Sequence, residues 1–544
     1  MYKRQLTIIE TKVPGFSRTQ CLEAIKWAQG ALNKEEDVVL MDGKNAFNEL
    51  LRQPVLRYMA TQRFLQPLYN LINLLYCTQG VVIAYRRDGL KAYEVPITRG
   101  ARQGCVTGSL FLKIALDSID PQMRGVLAPC QFRCVADDIA LAGSSASTRW
   151  RALLPVLKQI GLDYDSDKTR ILTPTADATK YLGGMLVPAK ASVSSVNTFL
   201  DKILDKARAR TIRAVHLDTS IQNRLGVLRL LPFWLRYYVL TAPQEHAKRL
   251  ATVIDQLHLH AVQTTVKLAF PPDHVRYVFH HIEDGGLGMY PLELLASNQS
   301  ESHLHQQWRA VATHPVPQPP RNWLTSWPKN RFCIIQDDAI QCFVALRCGL
   351  TETQPDRILP CGQKFTDPYH PLTCNQCNPP CHWHRHEAVL YSLMATLRFH
   401  NIQARKLRHE NPLPGNSRGG ADLQVFFPGV IENVDVTVSI TRPMVTTHNA
   451  LAAYNRKVAK YAAHVALTAQ QCTPFAMSSN GYIENRTLKR VNEWAGATNT
   501  PKETYYDIIV HTQIALIHAL HRSLMMFRDP KERPEAVARI AEPD

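Results

Sequence analysis

DVVLMDGKNAFNELLR (Asp37–Arg52) and QFRCVADDIALAG (Gln131–Gly143), whose Asp42 and Asp137 stand 95 residues apart, are the stretches whose reading decides the fold. In the first, the apolar run Val38–Met41 predicts a buried strand that ends on Asp42, with a turn and a helix from Ala46 to Arg52. In the second, apolar arms on either side of Asp137-Asp138 predict a β-hairpin with an acidic tip. Acids between buried strands are costly unless a cation neutralises them. If the strand ending at Asp42 lies beside the hairpin, Asp42 and Asp137 converge. Two hard divalent ions between them could hold a triphosphate and activate a 3′-hydroxyl. An Asp-Asp pair standing alone is equally compatible with an exposed turn, and Asp42 with a helix cap.

The remaining sequence narrows the choice. The chain has 544 residues, 45% hydrophobic and 20% charged, enough to build several cored domains. That balance excludes a disordered tail protein, a collagen-like fibre and a small disulfide scaffold. Lys and Arg number 63 against 46 Asp and Glu, a formal charge of +17 and a pI near 9.3. A surplus of this size favours a polyanionic partner, because phosphate contacts release condensed counterions. The opening MYKRQLTIIETK has no apolar run suited to a signal peptide, and LGVLRLLPFWLRYYVLTA is broken by Arg229, Pro232 and Arg236, so no membrane span is expected. Thirteen cysteines are too sparse for a disulfide framework, yet seven fall between Cys333 and Cys381, which suggests metal.

Five segments occur in a telling order: DGKNAFNELLR, GARQGCVTGSLF (Gly100–Phe111), FRCVADDIALAG, GLDYDSDKT (Gly161–Thr169) and KYLGGML (Lys180–Leu186). Together they resemble the palm motifs of reverse transcriptases, most closely those of non-LTR retrotransposons. The resemblance implies an RNA-directed DNA polymerase. In it Asp42 and Asp137 would bind Mg²⁺ and Asp138 would support them. Phe47 would block a ribonucleotide 2′-hydroxyl. Arg102, Gln103 and Gly104 would open the helix facing the nascent pair and template. Lys168 would approach the departing phosphate, and Leu182-Gly183 would mark the primer-grip hairpin. Physical chemistry is compatible with each role: a ring excludes a hydroxyl, glycine admits a close backbone approach, and lysine offsets phosphate charge. Only 41 residues precede Asp42, and GFSRTQCLEAIKWAQGAL resembles the tail of a fingers region, so partial fingers are expected. VLRLLPFWLRYYVLT and EDGGLGMYPLELLASNQSES resemble the thumb and following segment of the same elements.

LPCGQKFTDPYHPLTCNQCNPPCHWHRHE carries thiolates and imidazoles suited to tetrahedral Zn²⁺. Cys374-x2-Cys377 can place two sulfurs on one ion, and Cys361 and His370 can complete it. A zinc knuckle stands here in the related elements, with a second cysteine just before the position of Cys361. That position is not cysteine in this chain, so the fourth ligand is open, with Cys377 and Cys381 as substitutes.

RGGADLQVFFPGVIENVDVTVSI puts Asp422 and Asp435 on two predicted strands, Leu423–Phe427 and Val434–Ile440, joined at Pro428-Gly429. Adjacent antiparallel strands bring both acids to one metal. NRKVAKYAAH adds Lys457 and Lys460 on a following helix, where a lysine can orient a metal-bound water and stabilise a pentavalent phosphate. This arrangement resembles the restriction-like endonuclease of site-specific non-LTR elements, related to the PD-(D/E)xK nucleases, in which the lysine has moved onto the helix. Thr437 at the usual lysine position agrees with that move. Lys460, followed by Tyr461, matches the family's Lys-Tyr pair better than Lys457, and Glu387 would assist the metal.

The expectation is therefore an α+β chain. A reverse transcriptase palm with partial fingers spans 1–190, and a helical thumb-like region 191–310. A proline-rich linker covers 311–345, a Cys/His zinc-knuckle-like segment 346–386, and a restriction-endonuclease-like α/β domain 387–530. A disordered tail closes at 531–544. The implied function is target-primed reverse transcription, with an element RNA template, a chromosomal DNA target, deoxynucleoside triphosphates and a nuclear location. Rival readings are an inactive nucleic-acid-binding remnant and a chain that keeps only the nuclease.

Overall fold

The computed structural model describes residues 20–43, 45–76, 80–85, 91–101, 108–164, 166–280, 282, 286–298, 333–348, 350, 354–367, 369–374, 376–378, 381–407, 420–427, 430–440, 447–468, 470–479 and 481–528. Two compact units emerge: residues 1–205 with 235–250, and residues 206–234 with 251–544.

The first unit is built on a four-stranded sheet. Its strands are β1 (Val38–Met41), a hairpin formed elsewhere by β2 (Gly80–Tyr85) and β3 (Lys91–Ile97), then β4 (Gln131–Val135), β5 (Asp138–Ala142) and β6 (Arg170–Leu172). The sheet order is β4-β5-β1-β6, with β5 and β6 both antiparallel to β1. The VVLM run is buried along its whole length because both faces of the sheet are covered. Val39, Met41, Ile139 and Leu141 face one core, shared with the helices Gly108–Leu127 and Ala146–Lys158. Val38, Leu40, Ala140 and Ala142 face the other, against the helix Gln20–Asn33 and Leu186 of the hairpin β7 (Thr179–Tyr181) and β8 (Gly184–Leu186). Burying each Val, Leu or Met contributes about 1.5–3 kcal/mol, so a one-residue register slip would be strongly disfavoured.

Where one helix was expected from Ala46 to Arg52, two occur, Ala46–Glu49 and Arg52–Thr61. Leu50 and Leu51 leave helical conformation because other segments claim their backbone. The Leu50 carbonyl accepts from the Gly100 N–H at 2.8 Å, and the Leu51 N–H donates to the Ile160 carbonyl at 2.9 Å. Arg52 is thereby turned inward. Its buried guanidinium donates to the carbonyls of Gly100 (2.9 Å), Ile97 (3.2 Å), Arg99 (3.2 Å) and Tyr76 (3.4 Å).

The second unit has a hairpin of β9 (Gln354–Ile358) and β10 (Lys364–Phe365), and a sheet of β11 (Gln403–Lys406), β12 (Leu423–Phe427), β13 (Val430–Ser439) and β14 (Cys472–Ser478). That sheet runs in the order β11-β12-β13-β14; β14 is parallel to β13 and the other pairs are antiparallel. Val434 and Val436 share one continuous core with the helices Cys381–Phe399 and Pro501–Arg528.

Several expected boundaries shift. Residues read as a thumb-like region divide between the two units. The linker reading extended too far: Asp337–Arg347 is a helix, with Ala339, Ile340, Phe343 and Val344 in the core. Its proline signal stops at Pro328, and Asp337 and Asp338 favour a helix start. A helix begins at Cys381, directly after Pro379-Pro380, and so crosses the expected domain boundary at 387. Strand β13 begins four residues before Val434 and ends at Ser439. The Pro428-Gly429 turn, residues 311–332 and the tail 531–544 lie outside the described residues. Among the described residues no helix is long and apolar enough to cross a membrane.

Candidate active sites

Asp42 directly follows the last residue of β1, and Met41 pairs with Ile139, the residue after Asp138. The acids at the strand end and the hairpin therefore occupy neighbouring positions. Val135 pairs with Asp138, leaving Ala136 and Asp137 as the turn, with Ala136 at φ 52°. Gly43 fixes the spacing. A Cβ there would stand 3.2 Å from both the Cβ and the carbonyl oxygen of Asp137, closer than the neighbours tolerate without shifting. Gly43 also bridges to Tyr164, whose hydroxyl donates to the Asp137 carbonyl at 2.9 Å.

The electrostatics follow from this crowding. Burial, then Asp137 and Asp42, pushes the Asp138 carboxyl up to about 6. Asp137 is raised by burial and by Asp42, against its own backbone hydrogen bond. Crowded carboxylates of this kind are compatible with a hard divalent cation. A 410 Å³ open cleft begins here, lined by Asp42, Asp138, Lys168, Lys180, Leu182 and Gly183 among others. Lys168 thus faces the same cleft as two of the acids. Leu182 and Gly183 form the β7–β8 turn with φ of 48° and 82°. Phe47 is half-buried against the adjoining core and is not among the cleft-lining residues. Arg102, Gln103 and Gly104 lie outside the described residues.

Reading the sequence missed three contributors. Lys180, seen there only within the motif KYLGGML, lines the cleft and lowers the Asp138 carboxyl. Tyr164 braces the turn, and Arg52 braces the segment leading to Arg102. The signal for Arg52 was available as a lone basic residue after an apolar pair, but its partners are backbone carbonyls that no side-chain pattern marks.

In the second unit, Cys361, His370, Cys374 and Cys377 bring one ligand atom each to within 4.8 Å of one another. Among the described residues this is the one group of three or more such ligands so gathered. Cys361 stands in the β9–β10 turn beside Gly362 (φ 81°), His370 opens a short helix that Cys374 closes, and Cys377 follows. His370 Nε2 lies 3.1 Å from Cys361 Sγ and 3.5 Å from Cys377 Sγ. The Cys377 backbone N–H brings the Cys374 thiol down to about 7, whereas burial pushes Cys377 up to about 12. Three sulfurs and one nitrogen suit zinc, with Cys377 placed to stand in for the cysteine that is missing upstream of Cys361.

Asp422 and Asp435 meet as their strands require. Leu423 pairs with Val434, which sets the two acids on the next rung. Both are buried, at 4% and 2% exposure. Asp422 Oδ2 accepts from the Val436 N–H at 2.7 Å and lies 2.9 Å from His386 Nε2. Burial would raise Asp422, but His386 and the Val436 N–H hold it below the ordinary range. Asp435 is raised by burial and by Asp422, against the pull of Lys457. Lys457 Nζ donates to Asp435 Oδ1 at 2.7 Å, while Lys460 Nζ stands 3.5 Å from Oδ2. Both lysines therefore reach the same acid from one helix face. The Tyr461 hydroxyl touches Asp435 Oδ2 and receives a hydrogen bond from Lys460 at 2.8 Å. Glu387 is buried, bonded to Lys406 and 3.4 Å from His386 Nδ1. Two acids with lysines on one side are compatible with a divalent cation. His386 and the Lys406–Glu387 pair were not foreseen in these roles.

Comparison with known proteins finds a family match over the part of the chain that holds the first of these sites. Residues 1–186 match the family described as reverse transcriptase (RNA-dependent DNA polymerase). A retrotransposable element SLACS 132 kDa protein of Trypanosoma brucei gambiense is 27% identical over 157 residues, covering 28% of this chain and 13% of that protein. Among solved structures, apo telomerase from Candida tropicalis has a TM-score of 0.33 at 12% identity, covering 57% of this chain and 58% of the other. Telomerase from Candida albicans, solved with a fragment of telomeric RNA, has 0.29 at 13%, covering 57% and 56%. Scores of that size decide nothing about the fold, which rests on the sheet order and cores described above.

Proposed function

We infer that this chain, whose first 186 residues are the reverse-transcriptase domain of a non-LTR retrotransposon, copies element RNA into DNA from a 3′-hydroxyl that its own nuclease exposes. The observation that carries the copying half is the meeting of Asp42 and Asp138 with Lys168 on one cleft, with Asp137 in the turn packed against Gly43 directly beside them. Asp42 and Asp137 would hold magnesium, with Asp138 supporting them; when bound, the ion lowers the pKa of the attacking hydroxyl and neutralises charge on the triphosphate. Lys168 offsets charge on the departing phosphate. Phe47 would stand against the sugar, Arg102, Gln103 and Gly104 beside the nascent pair, and the Leu182-Gly183 turn under the primer end. Closely apposed phosphates on an RNA–DNA hybrid agree with the net charge of +17.

The nuclease half rests on Asp422 and Asp435, buried side by side with Lys457 and Lys460 in reach. The two acids would hold magnesium, and a lysine would orient water toward the scissile phosphate. Cys361, His370, Cys374 and Cys377 would hold a structural zinc that ties the β9–β10 turn to the start of the helix Cys381–Phe399. Chromosomal DNA as target carries the expectation of a nuclear protein.

A coupled assay tests the whole reading. Full chain is mixed with supercoiled plasmid, element RNA, Mg²⁺ and labelled deoxynucleotides. Asp435→Ala should lose nicking and plasmid-primed synthesis while keeping extension of an annealed primer. Asp137→Ala should lose both kinds of synthesis and keep nicking. Nicking that survives Asp435→Ala in clean protein would remove the nuclease from the account.

A further inference from the structure

The Asp422 carboxylate has more support than its strand position explains. Oδ2 receives the Val436 N–H at 2.7 Å and faces His386 Nε2 at 2.9 Å. With Oδ2 taken by two donors, a cation would be held through Oδ1. The imidazole is itself held. Its Nδ1 lies 3.4 Å from Glu387 Oε1, and Lys406 Nζ donates to the other Glu387 oxygen and, at 3.0 Å, to the Tyr391 hydroxyl. Glu387 is 3% exposed, so the group that holds the imidazole is buried, while Lys406 and Tyr391 beyond it reach toward solvent. Neighbouring positions 386 and 387 of one helix thus serve a single carboxylate, one by touching it and one by fixing the group that touches it.

We propose that His386 is a positioning residue for the Asp422–Asp435 metal site, its Nε2–H locking Asp422 so that one oxygen is presented to the cation, with Glu387 and Lys406 fixing the imidazole. The inference rests on the nuclease reading of those two acids. Its physical basis is general: partners that orient a metal-binding carboxylate typically change affinity or activity about 10- to 100-fold when removed.

The test uses the full chain carrying Asp137→Ala, which disables the palm carboxylates, and measures Mn²⁺ binding by the electron paramagnetic resonance of free Mn²⁺. Nicking of supercoiled plasmid is followed in parallel. His386→Ala should weaken Mn²⁺ binding about 10- to 100-fold. His386→Gln, whose amide nitrogen can reach the place of Nε2, should recover most of that loss. An unchanged Mn²⁺ affinity in His386→Ala, or a glutamine variant as weak as the alanine one, overturns the proposal. If His386→Ala does not fold, Glu387→Gln decides: weakened Mn²⁺ binding supports the chain of contacts and unchanged binding contradicts it. Failure of the underlying reading looks different. Mn²⁺ binding that Asp435→Ala leaves intact defeats both ideas, whereas Mn²⁺ binding that depends on Asp435 and His386 without any nicking defeats the nuclease and leaves the positioning role standing.

Discussion

Asp138 shows how one residue ties the site to the stability of the chain. Its carboxyl is raised from 3.8 to about 6 by burial and by Asp137 and Asp42. The folded chain therefore binds this proton more tightly than the unfolded chain. The group favours folding below about pH 4, and that contribution is lost as pH rises through about 6. Asp138→Asn removes the penalty. The variant's melting temperature should exceed that of the metal-free wild type by an amount that grows between pH 4 and pH 7. Adding Mg²⁺ should then narrow the gap, because an ion that binds only the folded state stabilises it. Scanning fluorimetry across that range reads the effect; a gap that ignores both pH and Mg²⁺ would mean the three acids do not share a cation site. At the same scale, much of this centre was legible in advance. An acid closing a buried run and an acidic tip between apolar arms are unusual enough to stand out. Lys457 and Lys460 were harder to rank, because residues three apart lie on the same helix face and only coordinates show which one reaches Asp435 first.

Among the elements, β13 carries three buried polar side chains, Glu432, Asn433 and Asp435. Glu432 is fully buried on it, accepting from Arg490 Nε at 2.8 and 3.0 Å, from Trp494 Nε1 at 2.7 Å and from the Thr473 hydroxyl. These bonds fasten the helix Asn485–Gly496 and strand β14 to the sheet. Removing one partner leaves a buried charge without its counterion, at a cost of about 3–5 kcal/mol. The remaining Trp494 and Thr473 donors soften this, so Arg490→Met should destabilise the second unit by about 3 kcal/mol in urea unfolding. Adding Glu432→Gln should recover part of the loss; a double variant as unstable as the sum of the singles would contradict a direct coupling. None of this was visible in the sequence, where Glu432 falls just before the expected strand Val434–Ile440 and Arg490 belongs to no motif. Strand β1 and the β4–β5 hairpin were legible because their signal is local apolar pattern. The break at Leu50-Leu51 and the inward turn of Arg52 were not, since the groups that cause them come from Gly100 and Ile160, far along the chain.

For the molecule as a whole, the two units place the candidate chemistry unevenly, with the copying site in one and the zinc and nuclease sites in the other. Cys361, Cys374 and Cys377 pack with Leu359, Phe365 and Phe527, so a bound zinc and a small apolar cluster would stabilise the same corner of the second unit. Chelation should therefore lower the thermal midpoint of the second unit, with about one zinc released per chain, and Cys374→Ser should reproduce the shift. A chelator that leaves the midpoint unchanged would leave the cluster as unmetallated thiols. The Cys/His spacing made this corner legible, while the division of the helical 191–310 region did not show, because helix periodicity carries no record of which core a helix joins. The central claim is that Asp42 and Asp137 gather the ions for copying RNA. Extension of a DNA primer annealed to an RNA template, by purified full chain with Mg²⁺, reads it most directly. The account predicts template-dependent extension in the wild type and a loss of at least about 100-fold in Asp137→Ala with the fold intact. Wild type and Asp137→Ala that are equally inert while still binding RNA would contradict it and leave a nucleic-acid-binding remnant in its place.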